Sequence, residues 1–223
     1  MKYYPLFSED NLPQTLVLAN GAFPTAPVPL ALLDKWCAGE EGYSLICCDG
    51  AVNKLRRYTS LLPDAVVGDL DSVSPALKDL LGQRIHRFSD QDTNDLTKTM
   101  NFVHRSMGRR AITLLGASGG REDHILANLA LLSSYAPLVD ELIMLTDEGY
   151  FILITEPAEV EVLVGQQVSV FDFLGKPISL TGVRWPLEQH LLPQLWCGSL
   201  NCATEKTIHL TVDHPVLLYL ANV

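Results

Sequence analysis

The sequence predicts an α/β domain built on a mainly parallel sheet, followed by a small all-β domain. Two observations carry this. Through the first two-thirds of the chain, short runs that are apolar at every position alternate with amphipathic stretches. That pattern suits parallel strands buried on both faces and joined by crossover helices. Past about Gly149 the helical period disappears, and short β-rich runs punctuated by Gly and Pro replace it. The expected division is residues 1–148 and residues 149–223.

The elements follow in order. Residues 15–19 read as the first strand, stopped by Asn20-Gly21; residues 44–48, 65–67, 84–88, 111–115 and 141–145 supply five more. Ser74-Pro75 is a helix start, with Ser as N-cap and Pro in the first turn. Leu96, Met100, Val103 and Met107 recur at helical spacing and share one face. Residues 125–132 form a further helix, too apolar all round for a surface position. A doubly wound, Rossmann-like domain of this kind binds ligands beyond the carboxyl ends of its strands. In the second domain, residues 150–154, 159–163, 168–173, 207–212 and 216–220 are the expected strands.

Composition narrows the function classes. At 48% hydrophobic and 19% charged, the 223 residues should fold rather than stay disordered. Lys plus Arg is 16 against 26 for Asp plus Glu, a formal charge of −10. Nucleic acid and anionic membranes would be repelled by such a surface. A phosphate substrate remains open, because metal ions and backbone N–H groups can hold one on an acidic protein. The five cysteines, Cys37, Cys47, Cys48, Cys197 and Cys202, are odd in number and show no CxxC, as expected of free thiols in a reducing compartment. Residues 11–33 carry no charge, but Pro13, Pro24, Pro27 and Pro29 argue against a membrane span. Residues 1–10 do not read as a signal peptide. A soluble cytoplasmic protein is expected.

The acids fall in an informative place. Asp49 follows the strand at 44–48, Asp69 and Asp71 follow 65–67, and Asp90, Asp92 and Asp95 follow 84–88. Three strand ends thus deliver carboxylates to one sheet edge. Two carboxylates about 4 Å apart repel by roughly 4 kcal/mol at an effective dielectric near 20. Such a cluster needs a cation or shared protons, and Mg2+ takes oxygen ligands that it shares with phosphates. The competing reading is structural: Asp49 capping a helix that begins near Gly50, and Asp92 and Asp95 stabilising a helix N-terminus. Asp69-Leu70-Asp71 alone is shared by unrelated phosphotransferases and glycosyltransferases.

Gly116-Ala117-Ser118-Gly119-Gly120-Arg121-Glu122-Asp123-His124 follows the strand at 111–115 and opens the next helix. Glycines let backbone approach phosphate oxygens, a helix N-terminus favours an anion, and Arg121 offers a planar fork. The run is neither GxxxxGK[ST] nor GxGxxG, so a plain strand–helix loop is the alternative. His124 is open between base, ligand and cap. Trp185, Trp196 and Tyr219 are read as core, or one of them as a stacking platform.

These segments together resemble the motif series of the thiamine pyrophosphokinase family. The series runs through Cys48-Asp49-Gly50-Ala51-Val52-Asn53, Val67-Gly68-Asp69-Leu70-Asp71-Ser72, Asp90-Gln91-Asp92-Thr93-Asn94-Asp95-Leu96-Thr97-Lys98, and Gly119-Gly120-Arg121-Glu122-Asp123-His124 with Asn128. Gly182-Val183-Arg184-Trp185, the Asn201 region and Asp213-His214-Pro215 extend it to nearly the whole chain. The resemblance implies a nucleotide-binding α/β domain, then a β-sandwich that binds thiamine and dimerises, with the thiamine site between subunits of a homodimer. It implies transfer of pyrophosphate from ATP to the hydroxyethyl group of thiamine, with Mg2+ and release of AMP. By motif position, Asp49, Asp69, Asp71 and Asp95 would be metal ligands, with Asp49, Asp71 and Asp95 catalytic. Asn53, Asp92, Lys98, Gly119, Gly120 and Arg121 would meet ATP. Gln91, Asp95, Asn201 and Tyr219 would meet thiamine, and Asp123, His124 and Asn128 would support the edge. The chain departs from the family pattern at Asn94 and Leu96, at Leu200 before Asn201, and in Val216-Leu217-Leu218-Tyr219, where some members carry a Trp. An acid on the metal and an acid on the hydroxyl look alike in sequence, so Asp95 carries both readings. Another metal-dependent phosphatase, a nucleotidyl or glycosyl transferase using the same acids, or a non-enzymatic nucleotide- or thiamine-binding protein are the alternatives.

Overall fold

The computed structural model describes residues 1–90 and 92–222. In chain order the elements begin β1 (Lys2–Tyr4), β2 (Thr15–Leu18), α1 (Pro27–Cys37), β3 (Ser44–Cys48), α2 (Ala51–Tyr58), β4 (Ala65–Gly68), α3 (Pro75–Leu81) and β5 (Ile85–Arg87). Next come α4 (Asp95–Met107), β6 (Ala111–Leu115), α5 (Glu122–Ser134), β7 (Glu141–Leu145), β8 (Gly149–Ile154), β9 (Ala158–Glu161) and β10 (Gln167–Phe171). The last are β11 (Ile178–Thr181), β12 (Leu187–His190), β13 (Asn201–Cys202), β14 (Thr207–Thr211) and β15 (Val216–Ala221). Residues 13–128 with 138–147 form one compact unit; residues 1–12, 129–137 and 148–223 form the other.

The first unit holds strands in the order β7-β6-β2-β3-β4-β5, every pair of neighbours parallel. All of β2 and β4 is buried, and so is β3 beyond Ser44. This is why the runs are apolar without alternation: both faces lose water, and each fully buried Val, Leu or Ile contributes about 1.5–3 kcal/mol. The helices are closed by local chemistry. Ser74 Oγ accepts from the Leu77 N–H at 3.3 Å with Pro75 behind it. Asn94 Oδ1 accepts from the Thr97 N–H at 2.8 Å, and Gly108, at φ 65°, ends α4 in the left-handed region that Gly tolerates. Ala26, at the N-cap of α1, offers no side-chain acceptor; Asp147 fixes the entry to the helix instead, accepting from the Thr25 and Ala26 N–H groups at 2.9 and 3.0 Å. Leu96, Met100 and Val103 bury the inner face of α4 as their spacing predicts.

The second unit contains β13-β10-β15-β8, antiparallel throughout, and β1-β9-β14-β11-β12. In the latter sheet Ala158, Val160, Ile178, Leu180, Ile208 and Leu210 are buried, while their alternate neighbours face outward. One covered face and one open face give this alternation. His214, 2% exposed, holds Nε2 3.4 Å from Asp172 Oδ1, and Asp172 also accepts the Leu174 and Lys176 N–H groups.

Several elements differ from the sequence reading. Residues 1–12 group with the β-rich unit, because β1 pairs in parallel with β9 from Lys2↔Ala158 to Tyr4↔Val160. Strands β11, β12 and β13 were not expected. Helix α5 buries only Leu132 and Ser133, and Leu126 is 60% exposed, so its apolar character does not reflect a position inside this chain. Trp185 and Trp196, read as core, are 57% and 70% exposed. All five cysteines are free thiols. Among the described residues no helix is long and apolar enough to cross a membrane.

Candidate active site

Three of the expected acids meet. Asp49 leaves β3 in a left-handed turn, φ 37°, and its N–H donates to the Val67 carbonyl at 2.8 Å, tying the ends of β3 and β4 together. Asp69 follows the last residue of β4, and Asp95 opens α4. One carboxylate oxygen from each of Asp49, Asp69 and Asp95 lies within 4.8 Å of the others. Gly68 makes the approach possible. A Cβ there would stand 2.8 Å from Asp49 Cβ and 3.2 Å from Asp95 Oδ1.

The electrostatics ask for a cation. Each carboxylate pair at such separations costs roughly 3–4 kcal/mol at an effective dielectric near 20. Asp49 is 4% exposed, and its Oδ1 is buried with no hydrogen-bond partner. Burial raises Asp95 above the ordinary carboxylate value; Lys98 pulls it down, and Asp49 and Asp69 push it up again. Lys98 Nζ sits 3.4 Å from Asp95 Oδ1 with its side chain 4% exposed. All three donors are carboxylate oxygens, and Lys98 offsets part of the charge on Asp95. That set fits a hard divalent ion of the Mg2+ kind.

The other acids stand apart. Asp71 is exposed and outside the cluster. Leu70, 3% exposed and at φ 66°, turns the chain between the two acids, and the Asp71 N–H donates to Asp69 Oδ1 at 3.1 Å. Asp90 accepts from Thr93 N–H and O–H and so closes its own turn, while Asp92 is exposed and outside the cleft described next. Gln91 lies outside the described residues.

Beside the cluster is a cleft of about 520 Å³, bordered by Asn20, Lys54, Asp95, Gly119, Gly120 and Arg121. The glycine loop packs directly on residues 19–22. The N–H groups of Ala19, Gly21 and Ala22 donate to the carbonyls of Leu115, Gly116 and Ser118. Gly119, at φ 73°, has no room for a side chain, since a Cβ would meet Ala22 Cβ at 2.4 Å. Asn128 Nδ2 donates to the Ala117 carbonyl at 2.9 Å and holds the loop to α5; His124 also lines the cleft. Asp123 grips Arg121 through Nε and Nη2 at 3.1 and 2.7 Å and accepts the His124 N–H.

Two residues expected at ATP have other partners. Asn53 Nδ2 donates to the Ser72 carbonyl, joining α2 to the 68–72 turn, and Lys98 points at Asp95; neither borders the cleft. Lys54, which does border it, was missed. It stands five residues after Asp49, on the helix that starts beyond the acid, and that spacing was available in the sequence.

In the β-rich unit, Asn201 is 8% exposed, and Trp185 and Cys202 occupy its amide. Oδ1 accepts their N–H groups at 3.1 and 2.9 Å, and Nδ2 donates to the Trp185 carbonyl at 2.7 Å. It anchors one wall of a hollow of about 310 Å³ that Trp185, Leu187 and Leu200 also border. Tyr219 is half-buried, donates to the Glu148 carbonyl at 3.1 Å and lies 4.7 Å from the Phe151 ring.

Comparison with known proteins agrees with this geometry. Residues 40–144 match the family described as thiamin pyrophosphokinase, catalytic domain, and residues 149–219 match thiamin pyrophosphokinase, substrate-binding domain. Thiamine pyrophosphokinase 1 of Oryza sativa subsp. japonica is 25% identical over 209 residues, covering 77% of this chain and 76% of its own. Thiamine pyrophosphokinase 2 of Arabidopsis thaliana is 27% identical over 173 residues, covering 64% of each. The structure of thiamin pyrophosphokinase from Candida albicans superposes with a TM-score of 0.76 at 18% identity, over 100% of this chain and 93% of that one. The Bacillus subtilis thiamine pyrophosphokinase gives 0.72 at 18% identity, over 93% and 99%. At such identities the structures speak for the fold, and the two family matches, which together span most of the sequence, speak for descent: the chain belongs to the thiamin pyrophosphokinase family.

Proposed function

We propose that this chain transfers the pyrophosphoryl group of ATP to the hydroxyethyl group of thiamine, giving thiamine diphosphate and AMP. The observation that carries the reading is the convergence of Asp49, Asp69 and Asp95 beside a glycine-loop cleft, in a chain of this family. The parallel sheet serves as a Rossmann-like nucleotide-binding fold, with residues 1–148, apart from the 1–12 and 129–137 segments that group with the β-rich unit, the catalytic part and 149–223 a β-sandwich for thiamine binding and dimerisation. The working unit is a cytoplasmic homodimer whose thiamine pocket, with Gln91, Asn201 and Tyr219, is shared between subunits.

Asp49, Asp69 and Asp95 would hold Mg2+, and Asp71, which stands exposed outside their cluster, would be drawn in as a further ligand. Bound there, the ion neutralises oxygens of the phosphate chain. The protein supplies position. Asp95 is the member of the cluster that borders the cleft, so it orients the thiamine hydroxyl and takes its proton. The hydroxyl oxygen bonds to the β-phosphorus, the bond from that phosphorus to the bridging oxygen breaks, and AMP leaves with the oxygen. Gly119, Gly120 and Arg121 receive the nucleotide, and Asp123, His124 and Asn128 support that edge. Lys98, on α4, offsets the charge of Asp95 beside the triphosphate, while Asp92 stands outside the cleft. An acidic protein complements the fixed positive charge of thiamine.

The test is direct. Protein, Mg2+, ATP and thiamine should yield AMP and thiamine diphosphate in equal amounts. Free phosphate or pyrophosphate with thiamine unchanged would refute the reading in favour of a hydrolase.

A further inference from the structure

Two cations border the cleft, and one of them is already matched. Arg121 donates through Nε and Nη2 to Asp123, whose negative charge offsets it, and its side chain is 73% exposed. Lys54 differs. Its Nζ donates to the Asn20 carbonyl at 2.8 Å and to the Gly21 carbonyl, and no carboxylate among the described residues pairs with it. Partial burial, and then Arg57, lowers its affinity for its proton, as expected of an ammonium without a counter-charge. An ammonium has three N–H donors, and two are used.

The two bonds it makes are placed to matter. Gly21 donates to the Gly116 carbonyl at 2.7 Å, and a Cβ on Gly21 would meet the Gly116 and Ser118 carbonyl oxygens at 2.5 Å. The Asn20–Gly21 turn is therefore one body with the glycine loop. Lys54 joins that body to α2, which begins next to Asp49. It sets the distance between the glycine loop and the acidic cluster while carrying an unmatched positive charge on the cleft wall.

We infer that Lys54 is a binding and positioning residue of the ATP site: its free N–H contacts the polyphosphate, and its carbonyl bonds lock the Asn20–Gly21 turn in register with the metal cluster. This rests on the reading of the cleft as the ATP site. The test is calorimetric titration of the full chain, in Mg2+ and without thiamine, with ATP, inorganic tripolyphosphate and adenosine. Wild type is compared with Lys54→Met and Lys54→Arg, and thermal melts of all three are recorded. A hydrogen bond to a charged group contributes about 1.5–3 kcal/mol, or about tenfold to a hundredfold in affinity. Lys54→Met should weaken ATP and tripolyphosphate by at least about tenfold and leave adenosine unchanged. Lys54→Arg, which keeps the charge, should restore most of the loss. Polyphosphate affinity unchanged in Lys54→Met would overturn the inference. So would an equal loss for adenosine, or a loss that Lys54→Arg does not rescue, since a brace without phosphate contact would behave that way. A wild-type chain that binds neither ATP nor tripolyphosphate would instead overturn the ATP reading itself.

Discussion

Gly68→Ala tests whether the acidic cluster is a built site. The new Cβ would stand 2.8 Å from Asp49 Cβ, 3.3 Å from Asp49 Cα and 3.2 Å from Asp95 Oδ1. Carbon atoms rest at about 3.5–4.0 Å, so Asp49 must retreat by at least about 0.7 Å. It cannot do so freely, because its N–H is bonded to Val67 at 2.8 Å and its side chain is buried. Overpacking of this kind costs about 1–3 kcal/mol, and each kcal/mol lowers the melting temperature of a chain this size by about 2–4 °C. A misplacement near 1 Å costs about a hundredfold in rate. The expected result is a folded protein, a few degrees less stable, with AMP formation down by about thirtyfold to a hundredfold and a higher Mg2+ requirement. The assay is AMP release at saturating ATP and thiamine over a Mg2+ titration, beside a melt. A folded variant within threefold of wild type at every Mg2+ concentration would refute the claim that the three carboxylates act together.

Asp49→Asn should lower kcat by about 10²–10³, yet the metal-free variant should melt at or above the parent, since one of three repelling charges is gone; a rate close to wild type at saturating Mg2+ would remove Asp49 from the metal set. Burial raises Asp95, against Lys98 and with Asp49 and Asp69, so the native state keeps that proton to higher pH than the unfolded chain. This group's contribution to metal-free stability is therefore present at low pH and lost as pH rises from about 4 through the raised value; the Mg2+-induced rise in melting temperature should be larger near neutrality than near pH 5, and equal rises would contradict it. Asp147 behaves oppositely: burial pushes it up, but the Thr25 hydroxyl and the Thr25 and Ala26 N–H groups outweigh this and hold it low. Its hold on the residues leading into α1 persists above the ordinary carboxylate range and is lost as pH falls through the lowered value. Asp147→Ala, which removes hydrogen bonds to a charged group, should cost about 1.5–3 kcal/mol with unchanged Mg2+ dependence, and an unaltered melt would mean that the entry to α1 does not depend on them.

What could be read from the sequence is what local pattern encodes. Strands β2, β3 and β4 were visible because burial on both faces leaves runs such as Leu45-Ile46-Cys47-Cys48 with no polar interruption, whereas β5, Ile85–Arg87, has no buried residue. Asp49 and Asp69 were visible because each follows such a run directly. Strand β1 was not, since three residues carry no period and its partner, β9, is more than 150 residues away. The fate of Asp71 was hidden for another reason. Asp69-Leu70-Asp71 reads as two equal ligands, but the left-handed turn at a buried Leu70 leaves Asp71 exposed. Lys54 was overlooked because a lysine within Lys54-Leu55-Arg56-Arg57 looks like a solvated helix face, and only the fold shows its ammonium turned onto two carbonyls.

The cluster owes its shape to backbone more than to ion pairs. Asp49 and Leu70 both sit at positive φ, a conformation that costs a non-glycine residue on the order of 1–3 kcal/mol. Lys98 Nζ reaches Asp95 Oδ1 at 3.4 Å and offsets part of the repulsion among the acids. Repulsion and strain therefore act in the same direction, against the arrangement. What opposes them is the sheet: Asp49 is fixed by its N–H to Val67, Leu70 by burial of its side chain, and Asp95 by the capped first turn of α4. A site held this way keeps its ligands converged before any cation arrives, so cation binding relieves repulsion without first having to order the chain. If the cluster binds Mg2+ as proposed, the stored repulsion becomes affinity for the ion, and the part of it that Lys98 offsets becomes a limit on total charge.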